Sequence, residues 1–339
     1  MKKKTKHIAL FVILLSLLVS CGKKNNSDTL SPTQIDRMQN EARNLFSDRK
    51  VNEALEGYKN VAQKAQQINY DQGLSNAYIG VANCYYELSN SNEGIKYLIL
   101  AEKHAQNNPE ILARINMIKG FILVNAHSYD EAEKKFKLVI EYANQIKDQK
   151  TAIMLIDRAY INIGNIYLEL KKYDLALTNY YKSYTSSDIV NRLASGINMA
   201  EIFLLTNKMD SARKYIEIAQ NNTYLIPEKK FRSAVNEGLR GVKGLYYIKK
   251  EDYRKAVNEL KNNPSASKTT FYTTEELLGM AYAKQHKTDS ALFYLEKNIH
   301  NKLNSRLSDQ NIYSATYLIY NDEKLALQKN TNKKEKFIS

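Results

Sequence analysis

The sequence has 339 residues, of which 43% are hydrophobic, and it carries a formal net charge of +14. The two cysteines are too few for a disulfide framework. The 25 tyrosines, with no tryptophan, indicate one aromatic position that is used repeatedly in a large core.

Near its start the chain has lysines at positions 2, 3, 4 and 6, followed by an apolar stretch from Ile8 to Val19 and then Ser20 and Cys21. The apolar stretch is shorter than the ~20 residues that a membrane-spanning helix needs. The pattern resembles a bacterial lipoprotein signal, which predicts that residues 1–20 are removed as a signal peptide. A transmembrane anchor and an ordinary secretory signal are the alternatives.

The resemblance implies that Cys21 becomes the first residue of the mature chain and carries a covalent lipid on its sulfur. No other cofactor is expected. Gly22 follows the cysteine in place of the aspartate that signals inner-membrane retention, which favours the outer membrane. Residues 21–31 are then a lipidated, flexible tether, and its lack of an acidic run favours the periplasmic face.

The next element is predicted to begin at Ser31 as N-cap, with Pro32 at the first helical position. The clearest helical pair comes later, in residues 157–184. Apolar residues recur there every three or four positions between Tyr160 and Leu170, a turn follows at Lys171, and Asp174 opens a second helix.

Small and large residues alternate within this pair at fixed spacing, because Gly164 and Ala176 permit close approach of the two backbones while Tyr167 and Tyr180 fill the adjacent space. The same spacing recurs in six other places, at Ala42, Leu45, Ala54, Tyr58; Ala82, Tyr85, Gly94, Leu98; Gly120, Leu123, Ala132, Phe136; Ala200, Phe203, Ala212, Ile216; Gly244, Tyr247, Ala256, Leu260; and Gly279, Tyr282, Ala291, Leu295.

This repeat resembles the tetratricopeptide repeat (TPR) family. The resemblance implies an all-α, right-handed α-solenoid of about seven TPR helix hairpins over residues 32–300. Residues 301–329 read as a C-terminal capping helical segment, centred on 310–320, because a solenoid end needs a cover for its stacking face. Residues 330–339 are predicted to be a disordered tail.

In the family, the first helices of the hairpins line a concave groove that binds proteins or peptides. At or next to the groove positions of the repeat, the resemblance nominates residues dominated by Asn and Arg: Asn83, Tyr86, Arg114, Asn125, Arg158, Asn162, Asn165, Asn198 and Glu201. The alternative is that these side chains are solvated, or that they bond between repeats without a ligand.

Catalytic signatures are missing from the sequence: it contains no nucleophile elbow, zinc-protease, dithiol or phosphate-loop motif. His127 and His286 fall in turns four repeats apart, too distant to share a metal, and His104 and His300 have no acidic or thiol neighbour in sequence. Cys84 reads as a small buried hydrophobe. We therefore expect no enzyme, no catalytic residue and no metal site.

Basic residues concentrate between Lys229 and Lys255. This segment is either a solvated face or a surface for an acidic partner. Nucleic acid is not an expected partner for an exported lipoprotein.

These patterns predict a non-enzymatic, lipid-anchored scaffold or adaptor that mediates protein–protein interactions in the bacterial cell envelope. Two other classes stay open: an outer-membrane lipoprotein that captures glycans, and a regulator of an envelope hydrolase.

Overall fold

The computed structural model describes residues 30–261, 272–308, 317–319, 321–322 and 324. Up to Ser308, these residues form fourteen α-helices and one short 3₁₀ helix, with no β-strand, which confirms the predicted all-α class. The helices are α1 Pro32–Ser47, α2 Val51–Gln67, α3 Asp71–Glu87, α4 Ser91–Lys103, α5 Pro109–Asn125, α6 Tyr129–Ala143, α7 Gln149–Glu169, α8 Tyr173–Tyr184, α9 Ile189–Leu205, α10 Met209–Asn222, α11 Lys229–Lys249, α12 Tyr253–Lys261, α13 Thr274–Lys284 and α14 Thr288–Ser308.

The fourteen helices pair into seven consecutive hairpins, α1 with α2 through α13 with α14. Each odd-numbered helix also contacts the next odd-numbered helix, whereas successive even-numbered helices in the described part of the chain make little or no contact. The odd-numbered first helices therefore lie on the inside of a curved stack. We call their exposed side the inner surface.

Helix starts follow the sequence signals. Ser31 is the N-cap of α1: its Oγ accepts from the Gln34 backbone N–H at 3.3 Å, and Gln34 Oε1 accepts from the Ser31 N–H at 2.9 Å. Pro109 opens α5, and Pro227 lies between α10 and α11, as the repeat phase predicted. Pro264 lies outside the described residues.

The small residues of the repeat face large side chains within their hairpins. A Cβ atom on Gly164 would lie 2.5 Å from the Tyr180 ring, and one on Gly120 would lie 2.5 Å from the Phe136 ring. Both rings are fully buried. Tyr167 packs against two hydrophobic clusters as a half-buried ring, and its hydroxyl also donates to Glu133 of the preceding hairpin at 3.0 Å.

Two large hydrophobic clusters follow one another along the stack. One joins buried residues from Ile79 to Ile166, in hairpins two to four, and the other joins residues from Leu193 to Ala291, in hairpins five to seven. The first and sixth hairpins also approach each other, since Lys230 Nζ of α11 lies 3.5 Å from Ser47 Oγ of α1. The stack thus bends through most of a turn.

Helix α14 continues to Ser308, past residue 300, where the sequence analysis placed the end of the array. No proline or glycine interrupts this stretch, which is why the helix runs on. Residues 317–319 are helical, and Ile319 is buried with the cluster of hairpins two to four. The capping role of the remaining segment stays a prediction. Residues 1–29 and 325–339 lie outside the described residues.

Candidate functional site

A row of polar residues crosses the inner surface on three successive first helices. Asn76, Arg114 and Arg158 each lie six residues before the small residue of their hairpin, so they occupy equivalent places on α3, α5 and α7. Arg43 of α1 stands close enough for its charge to lower the pKa of Arg114. We call Arg43, Arg114 and Arg158 the arginine cluster.

Arg114 is held by its neighbours. Its Nη1 donates to Asn76 Oδ1 at 2.9 Å, and Gln39 Nε2 donates to the Asn76 carbonyl oxygen at 3.0 Å. Burial lowers the pKa of the Arg114 guanidinium, and the positive charge of Arg43 lowers it further. Sequence reasoning nominated Arg114 but missed Arg43, Asn76 and Gln39, although Asn76 shares the offset of Arg114.

Arg158 is exposed to solvent, yet the surrounding protein lowers its pKa through desolvation. Exposure and desolvation occur together when one side of the guanidinium contacts water and the other side faces protein, as on a concave surface. Within the part of the chain that the structure describes, no carboxylate forms an ion pair with a member of the arginine cluster. The cluster is therefore positively charged, and the more distant charge of Glu110 partly offsets it at Arg114.

Several nominated amides and hydroxyls join neighbouring hairpins. Asn125 Nδ2 donates to the Tyr86 hydroxyl at 3.0 Å, linking α5 to α3. Asn165 Oδ1 accepts from the Tyr180 hydroxyl at 2.7 Å and from Asn198 Nδ2 at 3.3 Å, linking α7 to α8 and to α9. These residues match the alternative that the sequence left open, since they use at least part of their bonding capacity within the stack.

The other three nominated residues differ in how far they are buried. Glu201 is 1% exposed. Burial of Tyr180 is the main cause of its raised pKa, and the negative charge of Glu201 raises that pKa further. Asn162 is half-buried and donates to the Arg158 carbonyl oxygen of its own helix at 2.7 Å. Asn83 is half-buried beside Ala82. The structure thus places Asn162 and Arg158 together and keeps Glu201 away from solvent.

Apolar side chains lie next to the arginines on the inner surface. Met117 and Phe121 are one and two helical turns beyond Arg114 on α5, and the Phe121 ring is 6.3 Å from the ring of Tyr86. Asn162 Nδ2 approaches Met117 Sδ at 3.9 Å. A surface with an apolar floor and guanidinium groups at one edge suits a peptide that has both aliphatic and anionic groups.

The basic segment is partly neutralised by its own surroundings. Lys243 pairs with Glu259 at 3.0 Å and Lys255 with Asp252 at 2.9 Å, while Lys249 bonds to Asn207. These pairs reduce the field that an acidic partner would meet. The described contacts thus favour the solvated-face interpretation for much of residues 229–255.

Titratable groups elsewhere have structural partners. Asp71 at the start of α3 lies 2.8 Å from His104 Nδ1, a neighbour that the linear sequence did not reveal. His127 bonds to the Tyr129 hydroxyl at 2.9 Å. Cys84 is buried, and that burial raises the pKa of its thiol to about 12, as expected for an unreactive cysteine. Among the described residues, no group of three His, Cys, Asp or Glu side chains could hold a metal ion.

Two clefts border the N-terminus of α11. One of about 430 Å³ lies between Phe46, Glu87 and Phe231, where the first and sixth hairpins meet. The other, of about 520 Å³, lies between Met154, Ile189 and Phe231. A search of the described helices for a stretch able to cross a membrane found none.

Comparison with protein-family models and with curated protein sequences gave no match. Solved structures of similar fold were found. The crystal structure of a Rap protein complexed with competence and sporulation factor matches 83% of this chain and 78% of its own, at 14% identity and a TM-score of 0.60. The Rap conjugation gene regulator of plasmid pLS20, in complex with the Phr* peptide, matches 86% and 81% of the two chains, at 13% identity and a TM-score of 0.61. The chain therefore has the fold of a TPR-like helical solenoid.

Proposed function

We propose that this protein is a non-enzymatic adaptor that binds an anionic peptide segment of a partner protein on its inner surface. The observation that carries the proposal is the arginine cluster, three guanidinium groups without a carboxylate partner in the described chain. A peptide carboxylate, from a chain terminus or an acidic side chain, would supply the missing charge.

The chemistry of the cluster supports a carboxylate ligand. Guanidinium groups form paired hydrogen bonds with carboxylates, each worth about 1.5–3 kcal/mol when charged. Because Asn76 fixes Arg114 at one end, little side-chain entropy is lost when the ligand binds. Solved structures of this fold that hold a bound peptide support the use of such a solenoid for peptide binding.

Arg158 gives the cleanest test, because it is exposed and its loss should not disturb the core. Peptides selected from a random library against the full chain should be rich in Asp or Glu, or should require a free C-terminus. We expect Arg158→Ala to weaken their binding by tenfold or more in calorimetry, equal to about 1.4 kcal/mol. Arg254→Ala, an exposed arginine on α12, is the matched control and should bind as the wild type does. Unchanged affinity in Arg158→Ala would contradict the proposal.

We further propose that Cys21 carries a lipid that anchors the adaptor to the outer membrane, on its periplasmic side. The support is the sequence pattern of residues 2–21, which lies outside the described residues. Labelling cells with radioactive palmitate should mark the wild type and Cys84→Ala, which removes the only other cysteine, but not Cys21→Ser. Label retained in Cys21→Ser would refute the anchor.

A further inference from the structure

Residues near the C-terminus pack far from the hairpin that precedes them. Ile319 is 3% exposed and belongs to the hydrophobic cluster of hairpins two to four, and Leu318 packs against the same cluster. Tyr317 beside them is 66% exposed. The helical segment 317–319 therefore turns one aliphatic side toward residues about 150 to 240 positions earlier in the chain.

The cluster that Ile319 joins reaches the inner surface. Met117 of α5 is a buried member of it, and Tyr86 of α3 and Phe121 of α5 pack against it. Nine residues lie between Ser308 and Leu318, so the two positions are at most about 36 Å apart. The shared cluster is therefore the observation that links Ile319 to the inner surface.

We propose that the C-terminal segment carrying Leu318 and Ile319 is a built-in ligand of the inner surface of hairpins two to four, and that an external peptide has to displace it. This inference rests on the proposed function. The segment also indicates what kind of partner fits: a short helix with an adjacent aliphatic pair, as at Leu318 and Ile319.

A tethered ligand competes efficiently. Its effective concentration reaches the millimolar range, so a weak intrinsic affinity still keeps the site occupied. The association constant of an external peptide is then its intrinsic value multiplied by the fraction of molecules whose site is open. Weakening the tethered segment should therefore strengthen binding of the same sequence added in trans.

The first experiment locates the segment without any external partner. A photo-reactive benzoylphenylalanine replaces Leu318 in the full chain, and the cross-linked residues are identified by mass spectrometry. We expect cross-links to α3, α5 or α7. Cross-links confined to α13 and α14, where a cap would sit, would overturn the proposal.

The second experiment measures competition, with a fluorescent peptide of residues 310–329 as the probe. The full chain carrying Leu318→Asp and Ile319→Asp should bind the probe at least tenfold more tightly than the wild type, as read from anisotropy. Tyr317→Asp, at an exposed position, is the control and should behave as the wild type. Equal binding by the double variant and the wild type would overturn the proposal. Cross-links to α3, α5 or α7 together with unchanged affinity in Arg158→Ala would refute the proposed function alone.

Discussion

Asp157 is a buried carboxyl group on α7 beside Arg158. It is 4% exposed, and its Oδ2 has no hydrogen-bond partner. Burial is the main reason that its pKa rises from 3.8 to about 6, the nearby charge of Asp188 adds to this, and hydrogen bonds from Ser186 and Asn191 oppose it. At neutral pH the fold thus holds a carboxylate that its surroundings disfavour.

Asp157→Asn should therefore stabilise the protein at neutral pH. Because the folded-state pKa lies above the unfolded value, the wild type loses stability as pH rises from about 4 to 6 and then stays at the lower level. A shift of about two units corresponds to at most about 3 kcal/mol. In urea titrations, the variant should exceed the wild type at pH 7, and the difference should vanish toward pH 4. A difference that does not change with pH would contradict this assignment.

The burial of a residue was predictable from the sequence where it depends only on the residue's own repeat. The burial of Cys84 was predicted from its place in a helix and is confirmed. The bonds from Asn125 to Tyr86 and from Asn198 to Asn165 were not predictable, because they join neighbouring hairpins. The burial of Asp157 depends on the segment between α8 and α9, whose path no local pattern specifies.

Within a hairpin, the element that sets helix spacing is the contact between a small residue and a large one. Gly164→Ala would place a methyl group 2.5 Å from the fully buried Tyr180 ring. Hairpin two uses a different pair, Ala82 with Leu98, at the same two positions. An alanine facing a leucine therefore replaces a glycine facing a tyrosine within the same repeat.

This comparison predicts a non-additive pair of substitutions. Gly164→Ala should cost about 1–3 kcal/mol through overpacking. Tyr180→Leu should cost a similar amount, because it loses ring contacts and the hydrogen bond to Asn165. The double variant should be more stable than the sum of the two losses implies, since it recreates the Ala–Leu pair. Thermal or urea unfolding of all four proteins measures the coupling, and strict additivity would count against this packing account.

The number of hairpins and the turns at His127, Lys171 and His286 were predictable from the sequence, but the backbone conformation of these turns was not. The three residues adopt φ of 55°, 57° and 57°, a region that usually favours glycine. The hydrogen bond from Lys172 N to Tyr167 O, 2.8 Å long, satisfies the end of α7 in this conformation. Because none of the three residues is glycine, the sequence gives no local signal for this conformation.

For the whole molecule, curvature decides what the inner surface encloses. The approach of Lys230 to Ser47 and the burial of Ile319 against hairpins two to four both depend on small rotations summed over successive hairpins. A repeat pattern specifies each hairpin but not that sum. The sequence therefore predicted a solenoid and the row containing Arg114 and Arg158, but not the packing of Ile319 against hairpins two to four.

A crystal structure of the full chain with a library-selected peptide tests the central claim most directly. Our account predicts a peptide carboxylate within about 3 Å of the guanidinium groups of Arg114 and Arg158, with aliphatic side chains over α5. A peptide bound on the even-numbered helices, or in the cleft between the first and sixth hairpins, would contradict it.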